Sequence, residues 1–217
     1  MKIRGRDFDL RENRHLLLVL YAPIYLIGFF LMERLVPETA DYWVSYCPLD
    51  DLIPFCEYFV VPYYIWYPLL FVVGLWLLLR DVPVFKLYMY CIICGFSLSI
   101  LFCILFPNGQ DLRPETFEHD NLFVRLVQMV YAADTNTNVI PSVHALGAIF
   151  AAMAVCTSRR VRRRWVKGFM CLLAALICLS TCFVKQHSVL DVAVSAVVAV
   201  IIYALIRKNI NVKTGIS

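Results

Sequence analysis

Long apolar runs alternate with shorter polar segments along the whole chain. A helix needs about 20 mostly apolar residues to cross a bilayer, and windows of that length occur six times. The pattern predicts transmembrane helices at 15–33, 59–79, 87–106, 139–157, 168–185 and 189–206. These segments use most of the 217 residues. We therefore expect an all-α, polytopic membrane bundle of six helices that forms a single domain over 1–217.

Two polar segments between the predicted helices are long enough to hold structure of their own. The segment 34–58 is acidic and aromatic, which favours a short helix on the membrane surface with its aromatic side chains at the interface. The segment 107–138 predicts a turn at Asn108-Gly109 and a short amphipathic helix at 119–131. Long loops in compact domains are usually functional or disordered, so we expect this second segment to form part of a site.

Composition supports a membrane protein. The chain is 61% hydrophobic and 17% charged, with a mean hydropathy of +0.73, whereas soluble domains are less apolar and more charged. The first hydrophobic run is too long for the core of a cleavable signal peptide, so we expect it to remain as a helix.

The distribution of charge predicts how the helices are oriented. The segments 1–14, 80–86, 158–167 and 207–217 contain 16 of the 20 Lys and Arg residues and 4 of the 16 Asp and Glu residues. Basic loops are retained on the cytoplasmic side, so both termini are predicted to be cytoplasmic. The basic run at 159–164 is interpreted as a topology determinant, and no nucleic-acid partner is expected.

One candidate site residue lies where the fourth predicted helix begins. Pro141 and Ser142 precede His144, and a Pro-Ser pair is a common helix start in which the serine caps the first turn. The unpaired N–H groups of a helix N-terminus also favour a bound phosphate. A purely structural interpretation, with His144 at the membrane interface, uses the same geometry.

A second group lies between the fifth and sixth predicted helices. His187 is followed four residues later by Asp191, and on a helix these positions share a face. Ionisable residues inside membrane segments are usually paired or functional. With the predicted orientation, His187 and His144 lie on the same extracytoplasmic side. A histidine oriented by an aspartate, with a second histidine nearby, suits nucleophilic attack and proton donation at a phosphoryl group.

These strings resemble the motifs of a known family. Pro141-Ser142-x-His144, followed by Ser180-x6-His187-x3-Asp191, resembles the last two motifs of the type 2 phosphatidic acid phosphatase superfamily. Arg113-Pro114 resembles the end of that family's first motif. The resemblance covers roughly 100 to 195, and its order and six-helix layout agree with the predicted topology.

The resemblance implies a metal-independent, two-step phosphoryl transfer without a cofactor. His187 would attack phosphorus and become a phosphohistidine, Asp191 would hold its ring, and His144 would protonate the departing oxygen. Arg113 and Ser142 would contact the phosphate oxygens. The substrate would be a phospholipid or another lipid phosphate, and in a bacterium the enzyme would lie in the plasma membrane with an extracytoplasmic site.

The chain also departs from the family pattern. Phe106 stands where the first motif has a lysine, Thr181 where the last motif has an arginine, and Val143 where a glycine is usual. Lys185 is a candidate replacement for one lost cation. The branch that keeps both histidines and the aspartate but loses the cations resembles inositol phosphorylceramide synthases, which transfer a headgroup phosphodiester to a lipid alcohol.

Three interpretations therefore remain open from the sequence. The first is a lipid phosphate phosphatase with water as acceptor, and the second is a lipid phosphotransferase with an alcohol as acceptor. The third is a non-enzymatic bundle, such as a scaffold or transporter, that uses the His–Asp pair for packing or proton relay. Oligomeric state and a disulfide between Cys47 and Cys56 are left undetermined.

Overall fold

The structure, a computed structural model, describes residues 14–37, 39 and 41–210, and within them the chain is a helical bundle. Its helices are α1 (Tyr21–Leu35), α2 (Val60–Arg80), α3 (Val82–Leu105), α4 (Leu122–Ala133), α5 (Val143–Thr157), α6 (Arg164–Phe183) and α7 (Val189–Ile210). Short 3-10 helices cover Arg14–Leu20, Pro48–Asp51 and Glu57–Phe59. The basic segments at 1–13 and 211–217, which contribute to the predicted orientation, lie outside the described residues.

Five helical segments of the described chain are long and apolar enough to cross a membrane. They are Arg14–Leu35, Glu57–Arg80, Val82–Leu105, Arg164–Phe183 and Val189–Ile210. This is the profile of a multi-pass membrane protein. Five of the six predicted spans thus correspond to helices of sufficient length.

The predicted fourth span differs from the other five. Its helix, α5, has 15 residues and is therefore about 22 Å long. It begins at Val143 rather than at 139, because Pro141 disfavours the helical conformation in the residue before it. The backbone N–H groups of Val139 and Ile140 instead donate to Asn108 Oδ1, at 2.9 and 2.8 Å.

The short helix α5 is the centre of the bundle. It packs against α2, α3, α6 and α7, and 10 of its 15 residues are buried. Small residues at these contacts let the helices approach closely. A Cβ added to Gly95 of α3 would lie 2.7 Å from Cε2 of Phe150, so only glycine fits there.

The connecting segments cover the end of the bundle where α5 begins. Strand β1 (Trp43–Val44) pairs in parallel with strand β2 (Asn108–Gly109), so the turn predicted at Asn108-Gly109 is wrong. Gly109 is required here, because an added Cβ would lie 2.6 Å from the Tyr42 ring. The surface helix predicted within 34–58 is replaced by β1 and two 3-10 turns. Cys47 and Cys56 are free thiols.

Helix α4 confirms the amphipathic helix that the sequence predicts in the second long segment. Its buried residues, Val124, Val127 and Val130, recur every three positions and therefore lie on one face. Val127 and Val130 form a cluster with Tyr63 of α2 and with Val184, which follows α6. Helix α4 thus closes the same end of the bundle.

Candidate active site

Helix α5 brings His144 to the covered end of the bundle. Ser142 is its N-cap, as predicted, and the serine Oγ accepts a hydrogen bond from Ala145 N at 3.3 Å. Such caps satisfy one of the free N–H groups of a first helical turn. His144 is the second residue of the helix and is 4% exposed, so the interfacial position considered from the sequence does not apply.

An aromatic cage holds the His144 ring. The rings of Tyr63 and Trp66 both lie 4.4 Å from it, centroid to centroid, and Tyr63 is stacked on it. Gly147, one turn further along α5, makes this possible, because a Cβ there would lie 2.8 Å from the indole Nε1 of Trp66. His144 Nε2 is buried and has no hydrogen-bond partner among the residues that the structure describes, so this atom is available to a bound group.

The end of α6 sets the position of His187. Gln186 N donates to Thr181 O at 2.9 Å, and Lys185 N donates to Cys182 O at 3.2 Å. This pair of bonds is the Schellman ending of a helix, which needs a left-handed residue. Lys185 supplies it with φ 55°. The chain therefore turns away from α6, and His187 lies in the connection before α7.

The Lys185 ammonium is bound by backbone carbonyl groups. Its Nζ donates to the carbonyl oxygens of Asp50 and Ile53, at 2.9 and 2.6 Å. The ammonium group is thus engaged by the 3-10 turn that contains Asp50. Lys185 therefore has two structural roles: its backbone ends α6, and its side chain bonds the segment that contains this 3-10 turn.

His187 and Asp191 form the predicted pair. His187 Nδ1 lies 3.2 Å from Asp191 Oδ2, and both side chains are buried. The sequence interpretation treats them as neighbours on one helix, whereas α7 begins only at Val189. The contact forms because Asp191 lies in the first turn of α7, where its Oδ2 also accepts from Ser188 N at 3.0 Å.

A serine that the sequence analysis does not single out completes the support of Asp191. Ser45 Oγ donates to Asp191 Oδ1, and both residues are 0% exposed. Ser45 follows β1, and its backbone N–H donates to Gly109 O at 2.7 Å. The strand pair therefore positions the serine. Both oxygens of the buried carboxylate accept hydrogen bonds, as a buried charge requires.

A second unpredicted residue, Asp50, holds the start of α7. Its carboxylate accepts from Ser188 Oγ at 2.6 Å and from Val189 N at 2.8 Å. A carboxylate at a helix N-terminus is favoured by the free N–H groups and by the helix dipole. Asp50 thus fixes the backbone on which both His187 and Asp191 are mounted.

One hydrogen-bonded chain connects the two halves of the site. Ser142 N donates to Ser195 Oγ at 2.7 Å, and Ser195 Oγ donates to Asp191 O at 2.6 Å. All three residues are buried. The start of α5 is thereby fixed relative to α7, and with it His144 relative to His187.

The two histidine rings lie 6.2 Å apart, centroid to centroid. At this separation the rings do not stack, and one small group between them can contact both. The hydrogen bond to Asp191 occupies Nδ1 of His187. Within the described chain Nε2 of this histidine has no hydrogen-bond partner, so it can act as a nucleophile or a base.

Arg113 lies beside this pair. Its guanidinium donates to Gln186 Oε1 at 2.6 and 3.0 Å and to Asp134 O at 2.7 Å, and it lies 4.4 Å from the Tyr131 ring centroid. These bonds orient the guanidinium, and its charge also interacts with the nearby Asp134 carboxyl. The residue after Gln186 is His187, which puts a positive charge next to the candidate nucleophile.

Asp134 adds a further ionisable group at this end. Its Oδ2 accepts from Gln186 Nε2 at 3.3 Å and from Tyr63 Oη at 3.4 Å. Burial raises the pKa of the Asp134 carboxyl above the usual aspartate value, and electrostatic interaction with His187 and Arg113 partly opposes this rise. No sequence pattern points to Asp134, which was predicted only as part of a polar segment.

Three neutral amide side chains of 107–138 hold the loop in place through hydrogen bonds. Gln110 Nε2 donates to Lys185 O, Asn136 Nδ2 donates to Gln110 O, and Asn138 Nδ2 donates to Glu33 Oε1, each at 2.9 Å. The loop thus contributes to the site mainly through Arg113 and Asp134. Across the described residues, no group of three or more His, Cys, Asp or Glu side chains is arranged to hold a metal ion.

Compared with known proteins, the chain matches no family model, no curated protein and no solved structure. Its geometry, rather than any relative, has to carry a functional assignment. That geometry defines a buried His–Asp pair, an opposing histidine and an arginine at one end of a membrane bundle.

Proposed function

We propose that the protein is an integral membrane lipid phosphate phosphatase that works through a phosphohistidine. The observation that carries the proposal is the His187–Asp191 pair, with Nδ1 and Oδ2 3.2 Å apart, facing His144 across 6.2 Å between ring centroids. The resemblance of these residues to the motifs of the type 2 phosphatidic acid phosphatase superfamily supports it as well.

In the first step, Nε2 of His187 attacks phosphorus, and the bond between phosphorus and the lipid oxygen breaks. Protonated His144 gives its proton to that oxygen, and the lipid leaves as an alcohol. Asp191 accepts the hydrogen bond from Nδ1 of His187 and stabilises the positive charge on the phosphorylated ring. Charge that develops on the phosphate oxygens is met by Arg113 and by the free N–H groups at the start of α5.

In the second step, water attacks the phosphohistidine, and the bond between phosphorus and Nε2 breaks. His144, now neutral, accepts the proton of the attacking water and returns to its starting state. Inorganic phosphate is released. No metal ion takes part in this mechanism.

A second candidate function is transfer of a phospho-headgroup to a lipid alcohol, as in inositol phosphorylceramide synthases. A specific observation favours it: two family cations are replaced by Phe106 and Thr181, and Lys185 is tied to backbone carbonyls. A diester carries one negative charge fewer than a monoester and needs fewer cations. The alcohol would then replace water in the second step.

One assay separates the two functions. The purified protein is incubated in phosphatidylcholine vesicles with lipid phosphate monoesters or with diester phospholipids and a lipid alcohol. Free phosphate from monoesters supports the phosphatase, and a new phospholipid supports the transferase. Turnover of neither substrate class would leave the non-enzymatic bundle as the explanation.

A trapping experiment tests the nucleophile directly. With labelled substrate and a quench that avoids acid, the native chain should retain label on a histidine. His187→Ala should abolish the label, whereas His119→Ala should retain it, because His119 lies 3.7 Å from Glu57 at an exposed position. Normal labelling of the His187→Ala protein would assign the nucleophile to another residue.

We also propose that α5 completes a six-helix topology, with both termini in the cytoplasm and the site on the opposite face. Glu115→Cys and Arg160→Cys place thiols at exposed positions on the two predicted sides. In intact cells, an impermeant maleimide should add label only to the first, relative to the parent chain. Labelling of the second alone would reverse the topology.

A further inference from the structure

An apolar groove leads away from His144 along the bundle. Its volume is about 580 Å³, and it runs between α1 and α2, with α3 as its floor. Helix α1 packs mainly against α3 and is little buried, which leaves the groove open toward the surrounding lipid. The groove ends at His144 and Asp134 on one side and near Val19 and Phe85 on the other.

The α2 wall of this groove is regular. Trp66, Leu70, Gly74 and Leu78 all line it, and their spacing of four residues places them on one helix face. At 1.5 Å per residue, Gly74 lies about 12 Å beyond Trp66 and Leu78 about 18 Å beyond it. Since Trp66 contacts His144, these distances approximate distances from the candidate acid.

The groove is therefore polar at one end and apolar along its length, which is the pattern of a single-chain amphiphile. The direction in which the groove leaves His144 also agrees with the proposed reaction. The general acid protonates the oxygen that stays with the lipid, so the lipid body has to extend from the His144 side. The groove begins at that side.

We infer that this groove binds the hydrocarbon chain of the lipid substrate and thereby selects for long chains. The inference rests on the proposed phosphatase function, because it assumes that His144 acts on the leaving lipid oxygen. An extended chain advances about 1.2 Å per bond, as the backbone does. A chain of 8 carbons then extends roughly 10 Å and stops short of Gly74, whereas one of 16 carbons extends roughly 19 Å and passes it.

Gly74 offers a way to block the groove without touching the site. A Cβ added there would lie 3.5 Å from the Tyr88 ring, an ordinary contact, so the outer atoms of a leucine have to project into the groove. Gly168 on α6 is the matched control, because a Cβ there meets nothing within 4 Å. Both substitutions replace a helical glycine by leucine, so both raise helix propensity equally.

The test measures kcat/KM for hexadecyl phosphate and octyl phosphate in phosphatidylcholine vesicles. Gly74→Leu should lower the value for hexadecyl phosphate by about tenfold or more, the usual scale of overpacking, and change that for octyl phosphate less than twofold. Gly168→Leu should change neither. An equal loss for both phosphates, or no loss for hexadecyl phosphate, overturns the inference. If Gly74→Leu does not fold, Leu75→Trp, which lies about 14 Å beyond Trp66 and also lines the groove, replaces it with the same expectation.

A binding experiment separates this inference from the proposed function. A 16-carbon alkyl phosphate with a diazirine at its midpoint should label α1, α2 or α3 around Gly74, and Gly74→Leu should reduce that labelling. If the native chain hydrolyses neither phosphate, the phosphatase proposal fails. The photolabelling then tests by itself whether the groove binds the alkyl chain. Labelling outside the groove, or labelling that Gly74→Leu leaves unchanged, overturns the chain site.

Discussion

The hydrogen bond from Ser45 to Asp191 allows a sharp test of how the site is held. Ser45→Ala removes the donor to Oδ1 of a carboxylate that is 0% exposed. Water has no access to replace the donor, so one oxygen of a buried charge is left unpaired. A hydrogen bond to a charged group contributes about 1.5–3 kcal/mol, and we expect the free energy of unfolding to fall by that amount.

The same loss has a catalytic consequence if Asp191 orients His187. An aspartate held by one fewer bond positions the imidazole less well and stabilises the phosphorylated ring less well. If the whole 1.5–3 kcal/mol is expressed in the transition state, turnover falls by about 10- to 150-fold. The fall should appear in kcat rather than in KM, because substrate binding does not involve Ser45.

Ser158→Ala is the matched control for this variant. Ser158 is also 0% exposed, and its Oγ donates to a carboxylate, Asp81 Oδ2, at 2.6 Å. That bond joins the ends of α5 and α3 far from His144. Unfolding is followed by titration with sodium dodecyl sulfate in mixed micelles, and turnover by phosphate release.

We expect both variants to lose stability and only Ser45→Ala to lose turnover. Equal loss of turnover in the two variants would mean that Ser45 acts through stability alone. Full activity of Ser45→Ala would refute the argument that the carboxylate needs both of its oxygens bonded to serve His187.

Three further outcomes are expected. Gly147→Ala should move the Trp66 indole away from His144, because the added Cβ would lie 2.8 Å from the indole Nε1. We expect about 1–3 kcal/mol of destabilisation and altered fluorescence of Trp66. An unchanged emission spectrum would count against the aromatic cage. Turnover should survive excess EDTA, because the proposed nucleophile is a histidine; loss that Mg²⁺ restores would point to a metal mechanism. The free energy of unfolding should fall as the pH rises from the ordinary aspartate range through the raised pKa of Asp134, since the folded state prefers the protonated carboxyl. Asp134→Asn should make the free energy of unfolding depend less on pH, as measured by unfolding titrations at several pH values.

The five long helices were predictable from the sequence because each depends on a long local run of apolar residues. The start of α5 was not, since it is set by two features in combination. Pro141 restricts the residue before it, and Asn108, far away in the chain, bonds the two preceding N–H groups. Hydropathy windows register neither effect.

Some of the site residues were likewise predictable from the sequence, and others were not. The pairing of His187 with Asp191 follows from a spacing of four residues and was predicted. Ser45 and Asp50 were not, because they meet Asp191 and Ser188 across 146 and 138 residues of chain, and no periodic pattern marks a loop residue that acts through tertiary contacts.

The role of Lys185 was not predictable from the sequence for a different reason. Its charge made it a candidate phosphate ligand, but its backbone adopts the left-handed conformation that ends α6, and its ammonium bonds two carbonyl groups. Glycine is the usual residue at such a position. A lysine there carries no sequence signal for this role.

The aromatic cage has a consequence for the membrane around the protein. Trp66, which contacts His144, lies six residues inside α2, so α2 continues about 9 Å past the level of the histidine. If α2 begins at the headgroup level, a lipid phosphate that reacts at His187, as proposed, would have to descend about that far below its neighbours' headgroups. Hydrophobic mismatch would then set how far it travels, and a thinner bilayer would shorten the descent. For the proposed phosphatase, the acyl composition of the host membrane would then alter turnover without any change in the protein.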